Sequence, residues 1–312
     1  MGIGVRKPRV VFFGTGPVAA TSLELLLHHC DIEAVITKPK PPHHRGNFPV
    51  LDVSATHKLK TYEVTDKQSL SEVISHTKFE STVGVLIDFG IIVGKDVIDS
   101  FEKGIVNSHF SLLPEWRGAD PITFSILSGQ KKTGVSVMKL VEGMDEGPLL
   151  TFGIQELDGT EITPSLTDNL IHLSDALLAD VLPKYLSGHA KAIEQLEINK
   201  QFKDYPKTPS YSRKLTKADG ILDFNKPADV LEREIRAFIE WPKSIAHLNN
   251  LDIVVTKAHI EARSGNPGVY EVSKNSLLVF CGENALSLDE VKPAGKQAMS
   301  IQGFLAGYRD RL

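Results

Sequence analysis

The stretch VVFFGTGPVAA, residues 10–20, decides the fold of the first half of the chain. Its apolar run ends at Gly14, and small residues follow Pro17, a pattern typical of a β-strand that turns directly into an α-helix. Gly14, Gly16 and Ala19 also match the G-x-G-x-x-A spacing with which such a turn holds the pyrophosphate of a dinucleotide. The stretch therefore allows two interpretations, a dinucleotide site and a plain strand-to-helix turn.

The end of the second predicted strand tests the dinucleotide interpretation. A site for NAD needs an Asp or Glu there, about 20 residues after the glycines, to bind the ribose hydroxyls. The strand predicted over 32–37 runs into Lys38 and Lys40 and has no acid at its end. We therefore favour the plain turn. An NADP-dependent dehydrogenase stays open as the least favoured function, behind the two introduced below, because Lys38 and Lys40 suit a 2′-phosphate.

Length and pattern predict two domains. A chain of 312 residues exceeds what one compact core usually serves. Through the first 140 residues, short β-branched runs alternate with amphipathic segments, which predicts a Rossmann-like, doubly wound, mostly parallel α/β sheet. After residue 243 come short strands separated by Gly, Asn and Pro, which indicate a small β-barrel or sandwich.

A segment rich in proline, polar residues and lysine, 199–219, is typical of an interdomain linker. We place a first domain at 1–204, ending in a linker at about 190–210, and a second domain at 205–312. Basic residues of the segment, among them Lys207, Arg213 and Lys214, suit contact with a polyanion. A solvated tether explains them equally well.

Composition limits the remaining classes. A net charge of −4 and a pI near 6.3 argue neither for nor against a nucleic acid partner. No apolar run approaches the roughly 20 residues of a membrane span, so we expect no membrane partner and a cytoplasmic location. The adjacent pairs His28-His29 and His43-His44 lack the spacing of a helical zinc site. We expect no metal.

The segment NSHFSLLPEWRGADP, 107–121, carries the strongest chemical signal. Asn107 and His109 are two positions apart in a predicted strand, so their side chains share one face at the strand end, where parallel sheets bind ligands. An amide donor beside an imidazole suits attack on an acyl carbon that becomes an oxyanion. Asp145, in a glycine-flanked loop, is placed to return to His109 and fix its tautomer. A histidine that is merely packed at a strand end is the alternative.

The order and spacing of these residues resemble the formyltransferase family that uses 10-formyltetrahydrofolate. The resemblance rests on Asn107-x-His109-x-Ser111-Leu112-Leu113-Pro114, on Arg117-Gly118, and on Asp145, which follows His109 by 36 positions. Segments 211–224, 231–242 and 291–305 are similar to the C-terminal region of the branch that acts on initiator methionyl-tRNA. The similarity runs nearly from end to end.

This resemblance implies formyl transfer from 10-formyltetrahydrofolate to the α-amino group of methionine on the initiator tRNA, for translation initiation. Asn107, His109 and Asp145 would be catalytic, and whether His109 or Asp145 takes the first proton stays open. The second domain would be an OB-like barrel that helps hold the tRNA, and the protein is expected to act as a monomer.

The resemblance also implies two sets of binding residues. Those expected to hold the folate are Ser111, Leu112, Leu113, Pro114, Phe89, Gly90 and Ile91. Those expected on the acceptor side are Phe13, Gly14, Thr15, Arg45, Lys207, Arg213 and Lys214.

Three positions depart from the family's pattern. Gly16 separates Thr15 from Pro17 in the first turn, the loop over 37–50 has Asn47-Phe48 where lysines are usual, and Asp88 replaces a small apolar residue. These departures affect the wall that is expected near the methionyl group and the way in which the tRNA is expected to be discriminated. A sugar or nucleotide-sugar N-formyltransferase that uses the same folate donor is therefore the alternative function.

Overall fold

The computed structural model describes residues 7–43, 46, 48–202 and 205–312, without the side chain of Asn199. Contacts between residues divide the chain into two compact units. The first unit comprises Met1–Pro121, Lys132–Glu156 and Thr167–Ser212. The second unit comprises Ile122–Lys131, Leu157–Leu166 and Arg213–Leu312. The proposed boundary between residues 204 and 205 stays a prediction.

The strands up to Ser212 belong to the first unit. They are β1 (Arg9–Phe13), β2 (Asp31–Thr37), β3 (Thr61–Glu63), β4 (Gly84–Leu86), β5 (Ile105–His109), β6 (Arg117–Gly118), β7 (Lys132–Lys139), β8 (Leu149–Glu156) and β9 (Tyr211–Ser212). The helices over the same part of the chain are α1 (Pro17–Leu26), α2 (Pro49–Thr56), α3 (Lys67–His76), α4 (Lys95–Asp99), α5 (Pro121–Ser128), α6 (Thr163–Leu186) and α7 (Gln195–Gln201). From Ile122 onward α5 belongs to the second unit, as does the start of α6.

Seven strands of the described chain form one sheet in the order β3-β2-β1-β4-β5-β7-β8. The pairs from β3 to β5 are parallel, and the pairs β5–β7 and β7–β8 are antiparallel. This confirms the predicted mostly parallel α/β sheet. The strand order reverses at β1, which has β2 on one side and β4 on the other. In open α/β sheets, ligands bind at such a point, in the crevice outside the carboxyl ends of the strands.

The turn from β1 into α1 is built by close packing. A Cβ atom on Gly14 would lie 2.6 Å from the Cβ of Ala19 and 2.9 Å from the carbonyl oxygen of Ile87, so only glycine fits. Pro17 occupies the start of α1, where a missing N–H costs nothing. The strand-to-helix turn predicted from this stretch is therefore present.

The second unit contains a smaller antiparallel sheet. Its strands are β10 (Ser244–Leu248), β11 (Leu251–Glu261), β12 (Tyr270–Val272), β13 (Leu277–Phe280), β14 (Ala285–Pro293) and β15 (Met299–Ser300), and its helices include α8 (Ala228–Ala237) and α9 (Ile301–Tyr308). The order is β10-β11-β14-β13-β12, with β15 on β14. Leu231 and Ile235, one turn apart on α8, pack into the core of this sheet. The predicted strand-rich C-terminal domain is confirmed as a half-barrel.

The segment predicted as a linker has local structure. Helix α7 reaches Gln201, and β9 pairs in parallel with β6 inside the first unit. Across the described residues, no helix has the combination of length and apolar character that a membrane span requires.

Candidate active site

The predicted pair Asn107 and His109 lies at the carboxyl end of β5. Both residues are 6% exposed, and β5 lies inside the sheet between β4 and β7. Within the described part of the chain, the Asn107 side chain makes no hydrogen bond. Its amide is therefore available as a donor to a reacting group at this end of the sheet.

The imidazole of His109 lies between two oxygen atoms. Its Nε2 is 2.9 Å from the carbonyl oxygen of Trp116, and its Nδ1 is 3.7 Å from Oδ1 of Asp145. A carbonyl oxygen only accepts hydrogen bonds, so Nε2 carries a proton and donates it to Trp116. In the neutral ring the basic nitrogen is therefore Nδ1, which faces Asp145.

This arrangement differs in one respect from the expectation. The structure brings Asp145 to His109, but 3.7 Å is too long for a hydrogen bond. The backbone carbonyl of Trp116, and not the Asp145 carboxylate, holds the tautomer. Asp145 contributes a charge beside Nδ1.

The Trp116 carbonyl is itself held in place from a distant part of the chain. Trp116 has a φ of 52°, in the left-handed region that disfavours side chains, and its N–H donates to Oγ of Ser210 at 2.9 Å. The next two residues form β6 and pair with β9. Sequence reasoning missed Ser210, because it lies 94 residues after its partner and stands in a segment interpreted as a linker.

Asp145 is fixed on its other side. Its Oδ2 accepts a hydrogen bond from the N–H of Gly118 at 2.8 Å, which leaves Oδ1 toward His109. Gly118 has a φ of 114°, and a Cβ there would lie 2.5 Å from the carbonyl oxygen of Ser212. Only glycine allows this approach, which explains the glycine of the Arg117-Gly118 pair.

The loop over 111–114, expected to hold the folate, is held by hydrogen bonds and by burial of its side chains. Oγ of Ser136 donates to the Ser111 carbonyl at 2.7 Å and accepts from the N–H of Leu113 at 3.0 Å. Oγ of Ser111 donates to the carbonyl of Glu115. Leu112 and Leu113 are buried in an apolar cluster, and Pro114 is also buried. These side chains stabilise the loop, so a ligand would meet its backbone.

The segment Phe89–Ile91 follows β4. Phe89 is buried and contacts Phe13 edge to face, with 5.7 Å between ring centroids. Gly90 is exposed, with a φ of 68°, and its carbonyl accepts from Nζ of Lys38 at 2.7 Å. The N–H groups of Gly90 and Ile91 make no hydrogen bond to any residue that the structure describes. They are donors open to a ligand.

The two departures in the acceptor region, Gly16 and Asp88, are neighbours in space. A Cβ on Gly16 would lie 2.2 Å from Oδ2 of Asp88, so the carboxylate occupies the space that a side chain would need. Loss of hydration raises the pKa of Asp88; Lys38 opposes this shift and Asp120 adds to it. Thr15 donates to the carbonyl of Phe89 at 3.0 Å, and Phe13 is buried in the core. The carboxylate of Asp88 therefore lies beside the turn, at the start of α1.

The predicted basic contacts have different environments. Lys207 and Lys214 are exposed, whereas Arg213 forms a two-point ion pair with Asp219. The hydrogen bond from Arg213 lowers the pKa of Asp219 well below its usual range. Arg45 lies outside the described residues. Among the described residues, no group of three or more His, Cys, Asp or Glu side chains is arranged to hold a metal.

Comparison with known proteins identifies the family. The chain matches the formyl transferase family over residues 8–182, more than half of its length, and the C-terminal domain of formyl transferases over residues 214–309. The chain belongs to the formyl transferase family. The candidate site at the end of β5 falls inside the first matched region.

Relatives of this formyl transferase match nearly its whole length. It is 34% identical to the methionyl-tRNA formyltransferase of Myxococcus xanthus over 97% of this chain and 96% of the relative. It is 33% identical to that of Herpetosiphon aurantiacus over 97% and 98% of the two chains.

Solved structures show the same fold. The N-formyltransferase of Helicobacter canadensis, crystallised with folinic acid and dTDP-3-aminofucose, has a TM-score of 0.66 at 17% identity over 90% of this chain and 99% of that one. The phosphoribosylglycinamide formyltransferase of Bacillus halodurans has a TM-score of 0.51 at 26% identity, covering 57% of this chain and 95% of that one. The formyltransferase fold inferred from the sequence is thus confirmed.

Proposed function

We propose that the protein transfers the formyl group of 10-formyltetrahydrofolate to the α-amino group of methionine on initiator methionyl-tRNA. The observation that carries this is His109, flanked by the Trp116 carbonyl and Asp145, beside the unengaged amide of Asn107. Full-length similarity to methionyl-tRNA formyltransferases supports the acceptor. Cytoplasmic location and action as a monomer belong to the same proposal.

The chemistry follows from the side chains. The free amine attacks the formyl carbon, and the carbonyl oxygen becomes an oxyanion that accepts a hydrogen bond from the Asn107 amide. His109 accepts the proton released by the amine at Nδ1, where Asp145 stabilises the imidazolium. The bond from carbon to N10 of the folate then breaks as N10 takes up a proton. The products are formylmethionyl-tRNA and tetrahydrofolate.

Binding of the folate is assigned to the backbone at two strand ends. The open N–H groups of Gly90 and Ile91 suit the polar edge of a pterin, and the fixed loop over 111–114 suits a rigid wall. We assign contact with the tRNA to the second unit and to the exposed lysines Lys207 and Lys214, together with Arg45.

A second candidate is transfer to an aminosugar, favoured by the carboxylate of Asp88 beside Gly16. A carboxylate accepts hydrogen bonds from the ammonium or hydroxyl groups of a sugar. The same carboxylate argues against the dehydrogenase, because it would repel a pyrophosphate at the start of α1.

One experiment separates the candidates. The protein is incubated with 10-formyltetrahydrofolate and either methionyl-tRNA or an aminosugar nucleotide, and the formyl group on each acceptor is measured. We expect formylation of the tRNA. Transfer to the aminosugar nucleotide alone would establish the second candidate, and transfer to neither would contradict both. A nicotinamide absorbance assay tests the dehydrogenase.

A further inference from the structure

Gln195, which sequence reasoning did not single out, is the first residue of α7 and is 4% exposed. Its Nε2 donates to the carbonyl oxygens of Asp145 at 2.8 Å and Gly147 at 2.9 Å. Its Oε1 accepts a hydrogen bond from Nη2 of Arg117 at 2.8 Å. Both amide protons are therefore engaged, and the oxygen binds a charged donor.

Through these partners Gln195 supports Asp145 in two ways. Gln195 binds the backbone of Asp145 directly, and it also holds Arg117, whose neighbour Gly118 donates to Oδ2 of Asp145. The hydrogen bonds and the chain between them form a closed ring through Gln195, Arg117, Gly118 and Asp145. A movement of the amide would shift the carboxylate and its hydrogen-bond donor together.

The loop that carries Asp145 needs such support. Asp145 has a φ of 51°, a left-handed conformation that its surroundings must maintain. A Cβ on Gly147 would lie 1.8 Å from the carbonyl oxygen of Lys139, so the loop passes close to β7 with no room for adjustment there. The amide of Gln195 supplies two hydrogen bonds to this short segment from outside it.

Arg117 needs Gln195 as well. Its side chain is 11% exposed, and its Nη1 donates to Oε1 of Glu146 at 3.0 Å. Its Nε is buried and has no hydrogen-bond partner within the described chain. Loss of the bond to Gln195 would leave a second nitrogen of this buried cation unpaired, which is costly. The hydrogen-bonded ring through Gln195, Arg117, Gly118 and Asp145 would then rearrange and not simply lose one contact.

We propose that Gln195 is a positioning residue for formyl transfer, acting through Asp145 and Arg117 without touching a reacting atom. This inference rests on the proposed function. It assigns to α7, a helix of seven residues in the segment that the sequence suggested to be a linker, the task of holding the catalytic carboxylate opposite Nδ1 of His109.

The test uses Gln195→Met, which keeps the length of the side chain and removes its hydrogen bonds. Gln201→Met, at an exposed position of the same helix, is the matched control. We expect kcat of formyl transfer to fall about 100-fold, the effect of misplacing a catalytic group by about 1 Å, with KM for 10-formyltetrahydrofolate nearly unchanged. The control should retain wild-type kcat. Should Gln195→Met fail to fold, Gln195→Glu removes both donors while keeping the shape.

A double-mutant cycle with Asp145→Asn separates positioning from general damage. If Gln195 acts through the carboxylate, Gln195→Met should lower kcat by less than about 3-fold in the Asp145→Asn background. An equal loss of about 100-fold in both backgrounds would overturn the proposal.

A measurement that does not depend on formyl transfer distinguishes the role of Gln195 from the proposed function. Gly118 donates its N–H to Asp145, so misplacement of the carboxylate should speed hydrogen exchange of the Gly118 amide about 10-fold in Gln195→Met. The control should not change it, and unchanged exchange in Gln195→Met would contradict the role of Gln195. Absence of formyl transfer by the wild-type protein would contradict the proposed function alone.

Discussion

The carboxyl ends of β5 and β1, the two strands that flank β4, lie at the same edge of the first sheet and are built in opposite ways. At the end of β5, Asn107 and His109 are buried polar groups, and a hydrogen bond to the Trp116 carbonyl orients the imidazole. At the end of β1, Gly14 and Gly16 have no side chains, and the space they leave is taken by Ala19 and Asp88. Proton transfer needs oriented polar atoms, whereas a wall for a substrate needs only shape and charge.

The largest effect is expected from breaking the β5 side. His109→Ala removes the group that accepts and returns the proton, and general acid–base catalysis typically contributes 10²–10⁴-fold. We therefore expect kcat to fall by about 10³-fold while folate binding, followed by calorimetry, persists. Near-normal turnover would remove His109 from the mechanism.

Asp145→Asn tests the carboxylate next to Nδ1 of His109. The amide oxygen can still accept from Gly118, but the negative charge that stabilises the imidazolium is lost. We expect kcat to fall about 10²-fold, less than for His109→Ala, because the tautomer is held by the Trp116 carbonyl and survives the change. A loss larger than that of His109→Ala would show that the carboxylate, not the carbonyl, governs the ring.

On the β1 side, Gly16→Ala tests shape. The added methyl would lie 2.2 Å from Oδ2 of Asp88, so the carboxylate must move. Because Oδ2 is the far end of a flexible side chain, we expect this movement to cost less unfolding free energy than the about 1–3 kcal/mol of an overpacked core. The backbone itself tolerates alanine, because φ at Gly16 is −79°. Gly16 is also the N-cap of α1, where alanine is less favourable than glycine by about 1 kcal/mol. In an Asp88→Ala background the same substitution should cost only this capping contribution, as measured by denaturant unfolding. Equal costs in both backgrounds would show that the two positions are independent.

The smallest effect concerns the charge on Asp88. Its pKa is raised in the folded state, so the folded protein holds this proton more tightly than the unfolded chain does. Stability from this group is complete below the unfolded pKa of about 3.9 and is lost as pH rises through the folded value. Asp88→Asn should remove this loss of stability at higher pH, because its amide does not titrate. Unfolding curves of the two proteins at several pH values should diverge as pH rises above 4, and parallel curves would contradict the assignment.

Much of this molecule was predictable from local pattern. Alternating short strands and helices predicted the parallel sheet, and the two-residue spacing placed Asn107 and His109 on one face of β5. Strands β3 and β8 were not predicted. The first has only three residues, and the second is half-exposed without clean alternation, so neither shows a period.

What the sequence by itself determined is the set of chemical groups, Asn107, His109 and Asp145, and the turn at Gly14–Pro17, because strand alternation and glycine geometry are local. Only the tertiary structure decided what holds those groups: the carbonyl of Trp116 on the imidazole, the amide of Gln195 behind Asp145, and Asp88 over Gly16. A backbone carbonyl is present in every residue and leaves no mark in a sequence. Partners 50 or more residues apart, such as Gln195 and Asp145, meet only when the chain folds.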